Sequence, residues 1–173
     1  MQKMFGILVV CGGFVGACKK EVAPTPPVVV PDVVESVVQA EELADEEVAR
    51  LLIENFQRVY FDYDSSELGE DAKEALGHNA ELLNRHRGIR VRIQGHADER
   101  GTTEYNLHLG QRRAQRALDY MVNRGVSPER VQIISYGEEI PLEKAEGEIA
   151  FSKNRRAEFE LLMNSETLRG TVN

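Results

Sequence analysis

Two side chains of opposite charge offer the clearest chemistry in this chain. Asp98 stands in the stretch Gly95-His-Ala-Asp-Glu-Arg-Gly101, and Arg113 in Leu109-Gly-Gln-Arg-Arg-Ala114. A carboxylate and a guanidinium held apart at one lip make a receptor for a zwitterion: the carboxylate accepts an ammonium, and the guanidinium takes a carboxylate in a bidentate fork. An amino-acid head group has that charge pattern. The same two residues also suit a structural role, with Asp98 bracing its loop and Arg113 pairing with it. Nearby His96 raises a metal pair with Asp98, but no third ligand is spaced for it, and a His that braces the loop is the simpler reading.

Whether the two groups meet depends on the elements that carry them. Ile89-Arg-Val-Arg-Ile-Gln94 alternates strictly and predicts a strand that delivers Asp98 to its end. Gly95 and Gly101 suit tight turns, Thr102 or Thr103 can cap a helix over about 103–124, and Glu104 suits its positive end. On a wheel of about 100° per residue, Leu107, Gly110, Ala114, Ala117, Leu118 and Met121 face the sheet. Arg112 falls on the solvent side. Arg113 lies about a quarter-turn from the apolar centre, in a row with Leu109, Arg116 and Tyr120, as a boundary arginine. Asn106 lies between that row and the buried face.

Around these lie a strand at Val59-Tyr-Phe-Asp-Tyr63, a helix over 69–86 with Ala72, Ala75, Leu76, Ala80 and Leu83 inward, and a strand at 131–136. A short helix near 146–153 and a last strand at 156–162 complete the pattern. The expected fold is an α+β domain over 58–163, in the order β-α-β-α-β-α-β, with a mixed sheet covered by helices. Asn154-Arg155-Arg156 suits a salt-bridged strand entry or a pocket rim. Arg85, Arg87, Arg90 and Arg92 suit a solvated face, or one that brushes anionic polymers.

The motifs Val59-Tyr-Phe-Asp-Tyr63, Gly95–Gly101, Tyr105-Asn106, Leu109–Ala114, Ser135-Tyr-Gly-Glu138 and Asn154-Arg-Arg156 stand in the order seen in OmpA-like peptidoglycan-binding domains. From Val59 to Leu162 the chain resembles that family, most closely its peptidoglycan-associated lipoprotein (Pal) branch. The resemblance implies that Asp98 and Arg113 bind the diaminopimelate head group of a stem peptide, with Phe61, Asp62 and Leu109 as further contacts. It implies a non-enzymatic tether between outer membrane and wall within the Tol-Pal system, supporting envelope integrity and division, with TolB as a periplasmic partner. The alternatives are a wall-binding lipoprotein outside Tol-Pal and a peptidoglycan hydrolase using His96, Asp98 and Glu99. Against the hydrolase stand the lack of cysteine in the domain, of a further metal-ligand set and of a Ser–His–acid arrangement.

The N-terminus carries its own signals. Residues 1–17 read as a signal peptide, with Lys3, an apolar run and small residues before Cys18. That run is short for a membrane span of ~20 residues. Val15-Gly-Ala-Cys18 resembles a lipobox, which predicts acylation of Cys18 and anchorage in the outer-membrane bilayer. Cys11 reads as a small apolar residue inside the run. Residues 18–35, rich in Pro and Val, predict an extended or disordered linker. Residues 36–57 predict an acidic helical linker, and 164–173 a tail. The net charge of −8 is concentrated before residue 58, and 58–163 is nearly balanced. A chain so charged lacks the basic footprint that nucleic acid demands. No cofactor and no metal are expected.

Overall fold

The computed structural model describes residues 47–48, 50–163 and 166–167. The signal segment, Cys11, Cys18, the Pro/Val linker and most of the acidic linker lie outside the described residues. Residues 47–48 and 50–55 are helical. Leu52 and Phe56 are buried in the core while Leu51 is half exposed.

The elements follow the order β1 (Val59–Tyr60), α1 (Glu70–Arg85), β2 (Arg90–His96), α2 (Thr103–Asn123), a 3-10 turn (Pro128–Arg130), β3 (Val131–Gly137), α3 (Glu148–Asn154), β4 (Arg156–Met163) and β5 (Glu166–Thr167). The sheet runs β1-β4-β2-β3, with β5 also on β4. β2 and β3 are parallel, as expected of strands joined through a helix. β4 is antiparallel to β1 and β2. The fold is therefore α+β with a mixed sheet, and β5, inside the segment read as a tail, adds a short strand.

Alternation decides which way the strands face. Val91, Ile93, Phe159 and Leu161 are buried in one core with Ala75, Leu76, Leu83, Ala114 and Met121. The other parity of β2 and β4 carries Arg92 bonded to Glu160 at 2.8 Å, so one arginine of the expected solvated face is engaged in the sheet.

β1 is shorter than its sequence expectation, whereas α1 keeps its expected length. β1 stops at Tyr60, not Tyr63: the next two carbonyls, of Phe61 and Asp62, accept from the Arg155 and Arg113 guanidinium groups at 3.0 Å each rather than from a neighbouring strand. α1 ends at Arg85, within one residue of the expected 86. Arg130 caps it by donating to the carbonyls of Leu83 and His86 at 2.8 Å each.

α2 is rotated relative to the wheel. Its buried residues are Asn106, Leu109, Gly110, Arg113, Ala114, Ala117 and Met121, while Leu107 is 43% exposed. At about 100° per residue this turns the buried face roughly 50° toward the Asn106–Arg113 row. The cause is a close helix–strand crossing. A Cβ on Gly95 would sit 1.9 Å from the Gly110 carbonyl oxygen, and one on Gly110 would sit 2.3 Å from Ser135 Oγ. Ser135 Oγ donates to the Leu107 carbonyl at 2.7 Å and fixes the approach. Gly95 thus serves close packing within β2 rather than a turn, whereas Gly101, with φ +116°, does turn the chain.

The crossing gives a paired prediction. Gly95→Ala must push α2 off the sheet and is expected to lower the melting temperature by roughly 10 °C or more. Gly77→Ala, with nothing within 4 Å of the added Cβ and a place inside α1, should raise stability by about 0.5–1 kcal/mol. Thermal melts of the two variants read opposite signs.

Candidate functional site

β2 and α2 deliver Asp98 and Arg113 to one small cavity. Thr102 caps α2, its side chain accepting from the Tyr105 N–H at 3.2 Å, and Glu104 lies in the first turn. Asn106 reaches back from that turn to donate to the Arg100 carbonyl at 3.2 Å and to Glu138, which also accepts from Thr103 Oγ1 at 2.7 Å. These bonds close the loop that holds Asp98.

Asp98 is 4% exposed. Its Oδ1 accepts from the backbone N–H and Nε of Arg100 at 3.2 and 3.3 Å, and its Oδ2 accepts from Arg100 Nη2 at 2.6 Å and Arg155 Nη1 at 3.3 Å. Burial pushes its carboxyl upward, but hydrogen bonds from the Arg100 side chain and backbone and from Arg155 outweigh it and hold the group below the usual carboxylate range. Asp98 is an anion at neutral pH.

Arg113 is fully buried rather than a boundary residue. It donates to the carbonyls of Ser65, His96 and Asp62 at 2.9, 2.8 and 3.0 Å, and its guanidinium lies 5.2 Å from the centre of the Phe61 ring. Burial lowers its pKa to about 10, against the attraction of Asp98, so it stays charged at neutral pH. Three of five N–H bonds are committed. The remaining two, one on each terminal nitrogen, are the number a carboxylate fork takes. Arg113 does not hydrogen-bond Asp98: the bracing of that loop falls to Arg100 and Arg155.

Asp98, Leu109 and Arg113 line a cavity of about 130 Å³ with Tyr63, Arg100 and Asn106. That volume suits a small polar head group rather than a larger ligand. Phe61 and Asp62 do not line it. Phe61 supports Arg113 from behind, and Asp62 contributes its carbonyl to Arg113 while its side chain is exposed. Both line an open groove of about 750 Å³ beside β1 and α1, from which Arg155 reaches Asp98. Sequence reasoning missed Arg100 and Arg155 as the partners of Asp98. The Asp-x-Arg spacing of a tight turn was a usable signal for Arg100. Nothing local pointed to Arg155, whose partner is distant in sequence. Of the two readings of Asn154-Arg155-Arg156, the salt-bridged strand entry is the one observed, with Arg156 on Glu158 at 2.8 Å.

His96 faces away from this chemistry. Its imidazole is buried, stacked on Tyr136 at 5.6 Å, and neither ring nitrogen has a hydrogen-bond partner of good geometry among the described residues. Burial, reinforced by Arg156, lowers its pKa to about 4. Glu99 is exposed, and the described residues hold no group of three His, Cys, Asp or Glu suited to a metal. An unfolded chain protonates His96 near 6.5, whereas the folded chain resists until about 4. Stability should therefore decline as the pH falls through that window, by up to roughly 3 kcal/mol. Urea melts between pH 7 and 4 check this, and His96→Leu should flatten the decline.

The model of the OmpA family matches residues 60–155, which is more than half of the chain. The chain belongs to the OmpA family. Among its relatives in that family, the peptidoglycan-associated lipoprotein of Brucella melitensis is 47% identical over 100 residues, which make up 58% of this chain and 60% of that protein. That of Pseudomonas aeruginosa is 43% identical over 116 residues, covering 67% and 66%. The match thus spans about three-fifths of the Brucella protein's length. The crystal structure of the peptidoglycan-associated lipoprotein from Burkholderia pseudomallei superimposes with a TM-score of 0.59 at 36% identity, over 61% of this chain and 89% of that one. The C-terminal domain of Helicobacter pylori MotB gives the same TM-score at 19% identity, over 63% and 86%, and shares the fold alone. No helix among the described residues is long and apolar enough to cross a membrane.

Proposed function

We propose that this OmpA-family domain binds peptidoglycan non-enzymatically, taking the free diaminopimelate head group of a stem peptide between Asp98 and Arg113. The observation that carries this is the pair of opposite, buried, immobilised charges on one head-group-sized cavity. The ammonium goes to Asp98, the carboxylate to the two open N–H bonds of Arg113, and the methylene stem lies along Leu109. Phe61 and Asp62 act through Arg113, which they hold. The names of the Brucella, Pseudomonas and Burkholderia relatives, peptidoglycan-associated lipoproteins, support peptidoglycan as the polymer bound. Incubating the purified chain with intact sacculi tests the reading. Sedimentation of the protein with the wall, without release of soluble fragments, is the expected result. Release of fragments would return the hydrolase reading.

The proposal extends to the whole protein as an outer-membrane lipoprotein, acylated at Cys18, with its domain in the periplasm and a place in the Tol-Pal system through TolB. Mass spectrometry of the mature protein is expected to find an acylated Cys18 as its first residue, and Cys18→Ser to remove the protein from membranes while leaving sacculus binding intact. An unmodified mature N-terminus would overturn the anchor.

A further inference from the structure

The binding reading leaves Arg100 without a part, although it makes the shortest contact to Asp98. A carboxylate offers about four acceptor positions. Asp98 receives four hydrogen bonds, three from Arg100 and one from Arg155. An incoming ammonium must therefore displace a resident donor.

The two arginines are held very differently. Arg155 is 6% exposed, donates through Nε to the Phe61 carbonyl at 3.0 Å and through Nη2 to Glu148 at 2.8 Å. Moving it would strand a buried carbonyl. The Arg100 side chain is 33% exposed and bonds no backbone carbonyl among the described residues. Its guanidinium also lies 3.9 Å from the centre of the Tyr63 ring, 4.6 Å from that of Phe151, and 3.4 Å from Glu148 Oε2. It can leave Asp98 and remain on two aromatic faces and a second carboxylate. Its backbone N–H would stay on Asp98 and keep the loop in place.

We propose that the Arg100 guanidinium is the resident occupant of the ammonium position, an internal competitor that sets the selectivity of the site for zwitterions. The inference rests on the reading of Asp98 and Arg113 as a head-group receptor. A simple amine meets a carboxylate already neutralised and gains too little to displace Arg100. An amino-acid head group engages the Arg113 fork in the same event, and its two ion pairs together outweigh the one that Arg100 gives up. Arg100 thus turns a carboxylate open to any amine into one that answers to an ammonium beside a carboxylate.

Titration calorimetry on the purified chain, with meso-diaminopimelate and the amine-only cadaverine as probes, tests this. Wild type should bind diaminopimelate and give no cadaverine signal. Arg100→Met keeps an apolar stem against Tyr63 and Phe151; it should bind diaminopimelate roughly five- to tenfold more tightly and acquire measurable cadaverine binding. Arg100→Lys, which keeps a cation, should exclude cadaverine as wild type does. The double variant Arg100→Met with Asp98→Asn should lose both gains. Weaker or unchanged diaminopimelate binding by folded Arg100→Met, or continued exclusion of cadaverine, overturns the competitor role alone. Absence of diaminopimelate binding by wild type overturns the receptor reading and this inference with it.

Discussion

Arg113→Ala is expected to reduce sacculus binding ten- to over a hundredfold, since a charge-assisted hydrogen bond contributes roughly 1.5–3 kcal/mol. The structure adds a second expectation that the wheel alone did not contain. The same guanidinium ties the carbonyls of Ser65, Asp62 and His96. Its loss leaves them without donors at about 1–3 kcal/mol for each that stays dry. The melting temperature should fall by at least roughly 10 °C. Binding must therefore be measured on folded protein at low temperature. Arg113→Lys restores a charge and part of the bracing but no planar fork, so stability should recover further than binding does. Arg112→Ala, exposed on the same helix, is the control for loss of charge and should sediment with sacculi as wild type does. Wild-type binding by folded Arg113→Ala would remove the arginine from the site.

Asp98→Asn should weaken binding by a similar factor with a smaller structural cost. The amide keeps the shape of the carboxylate, and Glu148 remains as a carboxylate partner for both Arg100 and Arg155. This variant separates charge from packing more cleanly than any at Arg113. It also carries a pH signature. The folded carboxyl lies below its ordinary value. Its contribution is therefore fully present above the unfolded pKa of about 3.9 and is lost as the pH falls through the lower folded value. Wild-type binding should persist below the ordinary carboxylate range and collapse only as the pH passes the depressed folded value, whereas the weak residual binding of Asp98→Asn should lack that step. The acid response of His96 falls in a higher window, so the two are resolved in one titration of stability. Equal binding by Asp98→Asn and wild type at neutral pH would sink the ammonium contact.

The order and type of the elements were legible because β2 alternates strictly and α1 and α2 carry apolar stripes at helical spacing. The charged pair was legible through its motifs. The depth of Arg113 was not. A wheel centred on apolar residues places an arginine at the boundary, and only the close crossing of Gly95 and Gly110 turns the helix far enough to bury it. The four-bonded state of Asp98 was hidden for another reason. One of its partners, Arg155, comes from the junction of α3 and β4, far along the chain. Leu109, read in the boundary row, is buried by the same rotation that exposes Leu107.

The bonds of Arg113 also define a mechanical route. In an anchor, tension runs between the ligand and the N-terminal side of the domain. The carbonyl of Asp62 lies two residues beyond the end of β1, and Phe56, just before β1, is locked in the core. A pull on a carboxylate held by Arg113 is shared among the middle of α2, the end of β2 through the His96 carbonyl, and the Asp62 backbone, which leads along β1 and out through the helical segment. β1 pairs with β4 at just two positions, Val59 with Ala157 and Tyr60 with Arg156. The branch that leads out of the domain toward the N-terminal side is then limited by extraction of Phe56 and shear of that short pairing.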